Sequence, residues 1–154
     1  MEGSVSVHMA APADDIWELI ADIRNTGRFS PEVFESEWLD GATGPALGAK
    51  FRGHVRRNEI GPVYWTVCRV TACEPGREFG FAVLGPGGVE ANNWLYRLTP
   101  AGDGTDVTES YRLISSPLIS VFWIFGGFLR ERRNLRDMRT TLERIKKVAE
   151  EQSC

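Results

Sequence analysis

Residues 91–114, ANNWLYRLTPAGDGTDVTESYRLI, decide the fold. In Ala91–Thr99, Trp94, Tyr96 and Leu98 recur at every second position, with Asn92 at the start of the same row. In Thr105–Ile114, Val107, Glu109, Tyr111 and Leu113 form one row, and Asp106, Thr108, Ser110 and Arg112 the other. A period of two belongs to the β-strand, whose successive side chains leave on opposite faces. The intervening Ala101-Gly102-Asp103-Gly104 has room for a turn only, so the two strands pair antiparallel.

Working outward toward the N-terminus, the same punctuation recurs. Strands are expected at Val33–Asp40, Ala49–Asn58, Val63–Glu74 and Glu78–Leu84, separated by Gly- and Pro-containing turns too short for crossover helices. Ser4–Ala10 alternates likewise, with Val5, Val7 and Met9 on one side. Pro12 interrupts it, and Asp14 and Asp15 open a helix whose apolar stripe is Ile16, Trp17, Leu19, Ile20 and Ile23. Asn25–Pro31 reads as a bend or short second helix. Toward the C-terminus, Phe128, Leu135, Met138, Leu142, Ile145 and Ala149 recur at steps of three, four and seven and mark a long helix. The order is strand, helix, bend, six strands, long helix. One element is long enough to cover the apolar face of a seven-stranded antiparallel sheet, and that is the final helix.

The chain of 154 residues, 42% hydrophobic and 25% charged, fits one globular domain with a core that needs no staples. Its net charge of −3 argues against a general nucleic-acid binder. Residues 130–151 nevertheless carry +3, with five arginines in Arg130–Arg139; this run is read as a solvated helix face or, alternatively, as a contact for an anionic partner or lipid headgroup. Leu118–Leu129 is apolar nearly all round, yet twelve residues of helix span about 18 Å against ~30 Å of hydrocarbon, so stable membrane insertion is not expected. Met1–Met9 lack the basic start and apolar run of a signal peptide, and three cysteines make no disulfide framework, which together suggest a reducing cytoplasm. Cys68 and Cys73, an odd number of positions apart, are expected on opposite faces of their strand.

The faces of the strands define the candidate site. Trp94 and Tyr96, Glu109 and Tyr111, Phe79 and Phe81, and Phe51 and Val55 share the inner side. The parity of Val63–Glu74 is ambiguous, since Trp65, Val67 and Arg69 alternate with Tyr64, Thr66, Cys68 and Val70. Aromatic walls with sparse polar tips suit a pocket for a large apolar molecule; the same rings also suit a filled core. The expected lining is Trp65, Phe81, Trp94, Tyr96, Glu109, Tyr111, Phe122 and Phe125. Glu109 is singled out because a carboxylate on an apolar face is costly and its pKa tends to rise, which would let it orient a ligand or transfer a proton beside Tyr96 or Tyr111. The alternative is an ion pair with Arg69, Arg97 or Arg112, and a register shift of one would turn Glu109 to solvent. His8 and His54 stand on polar faces, no Cys/His cluster has metal spacing, and no dinucleotide, Walker or nucleophile-elbow motif occurs, so neither metal nor cofactor is expected.

Several segments, taken in order, resemble a known family. They are Ala11-Pro12-Ala13-Asp14-Asp15-Ile16-Trp17, Phe29-Ser30-Pro31-Glu32, Trp65-Thr66-Val67, Val70-Thr71-Ala72-Cys73-Glu74-Pro75-Gly76-Arg77, Phe79 to Phe81, Trp94-Leu95-Tyr96-Arg97-Leu98 and Gly104-Thr105-Asp106-Val107-Thr108-Glu109-Ser110. Together they look like the polyketide cyclase/dehydrase branch of the SRPBCC (START-like, Bet v 1-like) superfamily, over nearly the whole chain. The resemblance implies an α+β helix-grip fold: a seven-stranded antiparallel sheet wrapped around a long C-terminal helix, with two short helices after the first strand and a deep apolar cavity. It also implies a bulky hydrophobic ligand such as a lipid, polyketide or aromatic metabolite. Some members fold and dehydrate poly-β-ketone chains, and no catalytic motif of theirs can be placed here residue by residue. Glu109, Tyr96 and Tyr111 are therefore the catalytic candidates by strand parity alone. The 15 arginines against 3 lysines suit a GC-rich bacterial source. A protein- or membrane-surface interaction module is the remaining alternative, and pairing with a second copy is left open.

Overall fold

Alternating strands and an amphipathic tail assemble as the parity reading requires. The computed structural model describes residues 2–56, 63–113 and 117–153, with side chains in the last helix from 133 onward. Arg57, Asn58 and Ile114 at the ends of expected strands, and the side chains of Phe122 and Phe125, lie outside the described residues.

Strand β1 (Glu2–Met9) is followed by helix α1 (Ala13–Ala21), a 3-10 turn (Ile23–Asn25) and the short helix α2 (Thr26–Phe29). Strands β2 (Val33–Trp38), β3 (Lys50–Arg56), β4 (Val63–Glu74), β5 (Glu78–Leu84), β6 (Glu90–Ala101) and β7 (Gly104–Leu113) come next, and helix α3 (Pro117–Gln152) closes the chain. All seven strands form one antiparallel sheet in the order β1-β7-β6-β5-β4-β3-β2. This is the helix-grip fold. The first strand reaches the sheet beside the last, which brings α1 and α2 over the same face as α3.

The described half of α3 presents Met138, Leu142, Ile145 and Ala149 in one stripe, each at most 2% exposed. Burying such side chains stabilises by about 1.5–3 kcal/mol each for the larger ones. α1 meets the sheet through Ile16, Leu19 and Ile20, and the Trp17 Nε1–H donates to the Glu78 carbonyl at 2.8 Å. The Thr105 hydroxyl donates to the Ala11 carbonyl at 2.9 Å, tying the start of β7 to the entry of α1.

Three differences from the expected strands have physical causes. β2 stops at Trp38 because Asp40 and Gly41 take positive φ in the following turn. The β6–β7 hairpin is tighter than expected: Ala101 pairs with Gly104, leaving only Gly102 and Asp103 as the loop. In β4 a bulge inserts Thr71, for Val70 faces Phe81 and Ala72 faces Gly80. The extra residue resets the alternation, so Cys73 lies opposite the buried Phe79 on the same side as Cys68. The expectation of opposite faces for the two thiols is thereby overturned.

One glycine fixes the seat of α2. A Cβ on Gly27 would stand 2.2 Å from the Phe34 carbonyl oxygen, so the α2–β2 contact closes only without a side chain. Gly27→Ala is expected to lower the unfolding free energy by about 1–3 kcal/mol through overpacking, read as a shifted urea midpoint at unchanged slope.

Candidate functional site

The curved sheet and α3 do not meet everywhere. Between them lies a cavity of about 200 Å³, closed on one side by α1 and α2. Phe79 and Phe81 of β5, Trp94 and Tyr96 of β6 and Phe51 of β3 supply aromatic walls. Phe51 and Phe81 meet edge to face at 5.3 Å between centroids. α3 contributes Asn134, Asp137, Met138, Thr141 and Ile145, and the α1–α2 segment Leu19, Ile20, Ile23, Thr26 and Phe29.

Glu109 faces this cavity from β7 and is 5% exposed. It lies directly across from Tyr96 in the β6–β7 register, and the Tyr96 hydroxyl donates to its Oε1 at 2.9 Å. Its other oxygen, Oε2, is buried with no hydrogen-bond partner among the described residues. Burial pushes the carboxyl up to about 8, with the Tyr96 hydroxyl pulling weakly the other way. The same burial, and then the neighbouring carboxylate, hold the Tyr96 phenol well above its ordinary range. The pair is thus an un-ionised acid and an un-ionised phenol at neutral pH, with one orphaned oxygen in an aromatic enclosure.

The alternative of an ion pair at Glu109 is not what the structure contains. Arg69 reaches Glu90 at 2.8 Å and Arg97 reaches Glu78 at 3.2 Å, while Arg112 is exposed on the opposite row of β7. Parity sends these cations outward and keeps the carboxyl in.

Of the expected lining residues, Phe81, Trp94, Tyr96 and Glu109 converge on the cavity. The indole N–H of Trp94 donates to Asn92 Oδ1 at 3.2 Å, which settles that ring at the Asn92 end. Tyr111 does not line the cavity: it is 2% exposed and packs behind Trp94 at 5.4 Å between centroids. Trp65 is a correction. It pairs with His54 and leaves on the outer face, 40% exposed, stacked on His54 at 4.1 Å and covered by the Arg52 guanidinium. Because Gly53 lies opposite Thr66 and Phe51 opposite Cys68, the inner row of β4 is Tyr64, Thr66 and Cys68. Trp65→Ala is expected to leave uptake of an apolar dye within about two-fold of the wild type, as for substitutions away from a site.

Cys68 lines the cavity but is no nucleophile there, since burial pushes its thiol up to about 12. Beyond the expected Phe122 and Phe125, whose side chains lie outside the described residues, the cavity also takes lining residues from α1, α2 and the later part of α3. Their apolar stripes carry no mark distinguishing a residue that fills a core from one that walls a void. The polar Asn134, Asp137 and Thr141, spaced along one stretch of α3, were the signal available. Among the described residues, no grouping of three His, Cys, Asp or Glu could hold a metal, and no helix is long and apolar enough to cross a membrane.

Solved structures share the architecture. A protein of Deinococcus radiodurans is 18% identical with a TM-score of 0.67, the match covering 96% of this chain and 95% of that one. The Polyketide_cyc-like protein of Corynebacterium glutamicum is 27% identical with a TM-score of 0.59, covering 96% and 90%. The di-domain ARO/CYC StfQ of the steffimycin biosynthetic pathway is 16% identical with a TM-score of 0.77, covering 99% of this chain and 51% of StfQ. A search among curated proteins finds no match to the sequence. The sequence profile described as polyketide cyclase/dehydrase and lipid transport matches residues 2–150. With that profile spanning sheet, cavity and helix alike, the chain belongs to the polyketide cyclase/dehydrase and lipid transport family.

Proposed function

We propose that the chain is a single ligand-binding domain, working in a reducing cytoplasm, that holds a bulky apolar small molecule between its sheet and α3. The observation that carries this reading is the cavity of about 200 Å³ itself, walled by aromatic rings and with Glu109 in its lining. Apolar walls provide affinity without direction, and a few polar side chains among them give a guest its orientation. Lipids, polyketides and aromatic metabolites all fit that description.

Native mass spectrometry of the isolated protein, joined to titration with Nile red as a neutral apolar probe, tests it. A co-purified mass or saturable fluorescence at one site supports the reading. A bare mass together with no dye uptake overturns it.

A second reading, general acid–base catalysis of cyclisation or dehydration, is favoured by one observation. The Tyr96 hydroxyl fixes the orientation of the Glu109 carboxyl, which burial pushes up to about 8, into the range where a catalytic acid works best. Replacing Glu109 with glutamine would then abolish turnover of a poly-β-ketone substrate while Nile red still bound; equal turnover would remove Glu109 from the chemistry.

A further inference from the structure

One polar side chain interrupts an apolar row of the sheet. Across the strands, Phe51 of β3 stands beside Cys68 of β4, Cys68 beside Val83 of β5, Val83 beside Asn92 of β6 and Asn92 beside Leu113 of β7. The first four of these residues line the cavity. Asn92 is half-buried, and neither of its neighbours in the ladder, Val83 and Leu113, carries a side-chain acceptor. An amide donor set among such neighbours needs its partner from elsewhere.

Which end of the amide is on offer is fixed within the strand. Trp94 lies two residues on and therefore on the same face, and its Nε1–H donates to Asn92 Oδ1 at 3.2 Å. An indole nitrogen can only donate, so the amide keeps its oxygen toward that ring and its nitrogen away from it. Among the described residues Nδ2 has no hydrogen-bond partner. In contrast to the sealed Trp38 Nε1 and Glu109 Oε2, it keeps accessible surface.

From this locked amide we propose that Asn92 is the orienting group of the cavity: its Nδ2–H donates to a carbonyl oxygen of the guest, whose apolar body lies against Trp94 and Phe81. The inference rests on the cavity-binding reading above and names the residue and the ligand chemistry that set its specificity. Trp94 and Phe81 stand opposite each other on β6 and β5, and both wall the cavity. A carbonyl satisfies the N–H and brings no hydrogen of its own into apolar surroundings. A hydrocarbon of the same shape would strip the amide of water and return nothing, which is the costly case for a donor. Trp94 is a positioning residue, because without its N–H the amide is free to turn and offer its oxygen instead.

The test uses acetylnaphthalene and isopropenylnaphthalene, substituted at the same ring position and differing only in C=O against C=CH₂. Each competes with Nile red on the full chain. The ratio of the alkene to the ketone dissociation constant should fall about 10-fold from wild type to Asn92→Leu, the worth of a hydrogen bond whose donor is otherwise left unmade. The alkene itself should bind no more weakly to that variant. Trp94→Phe should lower the same ratio by less. In nitrogen-edited proton spectra of the wild type, the Asn92 side-chain amide should move downfield with the ketone relative to the alkene, a comparison that cancels the shared ring current. The Trp94 indole proton should not differ between the two.

A ratio unchanged in Asn92→Leu, or an amide shift no larger with the ketone than with the alkene, overturns the inference and leaves the cavity reading standing as long as Nile red or either probe binds. A ratio unmoved in Trp94→Phe overturns the positioning role of that ring. Failure of Nile red and both probes overturns the cavity reading and this inference with it. The spectra are taken on the wild type, so the inference stays falsifiable even if Asn92→Leu does not fold.

Discussion

Glu109→Gln should make the protein more stable at pH 8.5 and nearly unchanged at pH 4.5. The carboxyl sits at about 8 in the folded chain against an ordinary 4.5. Between those values the native state keeps a proton that the unfolded state has lost. Stability therefore falls as pH rises, by about 1.4 kcal/mol per pH unit for a single group. The contribution of Glu109 is whole below pH 4.5 and gone above about 8, a loss of order 4–5 kcal/mol at most. Glutamine has almost the same shape, accepts the Tyr96 hydroxyl through its carbonyl and carries no charge to bury.

Urea titrations of both proteins at pH 4.5 and 8.5 measure the effect. His8, raised by its hydrogen bonds to Asp106 and then Asp103, also loses its contribution as pH rises past 6.5. The difference between the two proteins cancels His8 and isolates Glu109. Parallel curves for variant and wild type would mean that Glu109 is solvated in the folded chain.

What made Glu109 visible in the sequence was its neighbours. Val107 and Tyr111 on either side place a carboxylate in an apolar row, and Trp94 and Tyr96 repeat the pattern on the adjoining strand. Period-two alternation is strong where one row is apolar and the other charged, as in β7. It fails in β4, where Trp65 and Val67 on one row look as apolar as Tyr64, Cys68 and Val70 on the other. There the choice is made by β3, whose Phe51-x-Gly53-x-Val55 row must face the core and whose Arg52 and His54 must not. Trp65 is thus carried outward by its partner strand, and its indole is covered by a histidine ring and a guanidinium instead of by the core. The bulge at Thr71 leaves no comparable mark, and the side on which Cys73 emerges follows from it. The described helix residues that line the cavity go unmarked in the sequence for a different reason. A stripe such as Met138, Leu142 and Ile145 records that a helix face is covered, and the curvature of the sheet decides whether the cover touches.

That distinction within α3 gives the second large effect. Leu142 is fully buried and absent from the cavity lining, whereas Ile145, one turn on and 1% exposed, belongs to it. Leu142→Ala should cost about 3–5 kcal/mol, because it opens a void in the closely packed core to which Leu142 belongs. For a domain of this size that is a large share of the whole stability. Ile145→Ala removes a side chain of nearly equal burial from the wall of an existing void. It should cost less, about 2–3 kcal/mol, and should also let the cavity admit a larger naphthyl or anthracenyl probe. Urea midpoints paired with probe affinities separate the two positions. Leu142→Ala is expected to move the midpoint and leave probe size selectivity alone, and Ile145→Ala to move both. If Leu142→Ala instead relaxed the size limit, the contact between α3 and the sheet at that turn would be part of the cavity and the boundary drawn here would shift by one helical turn.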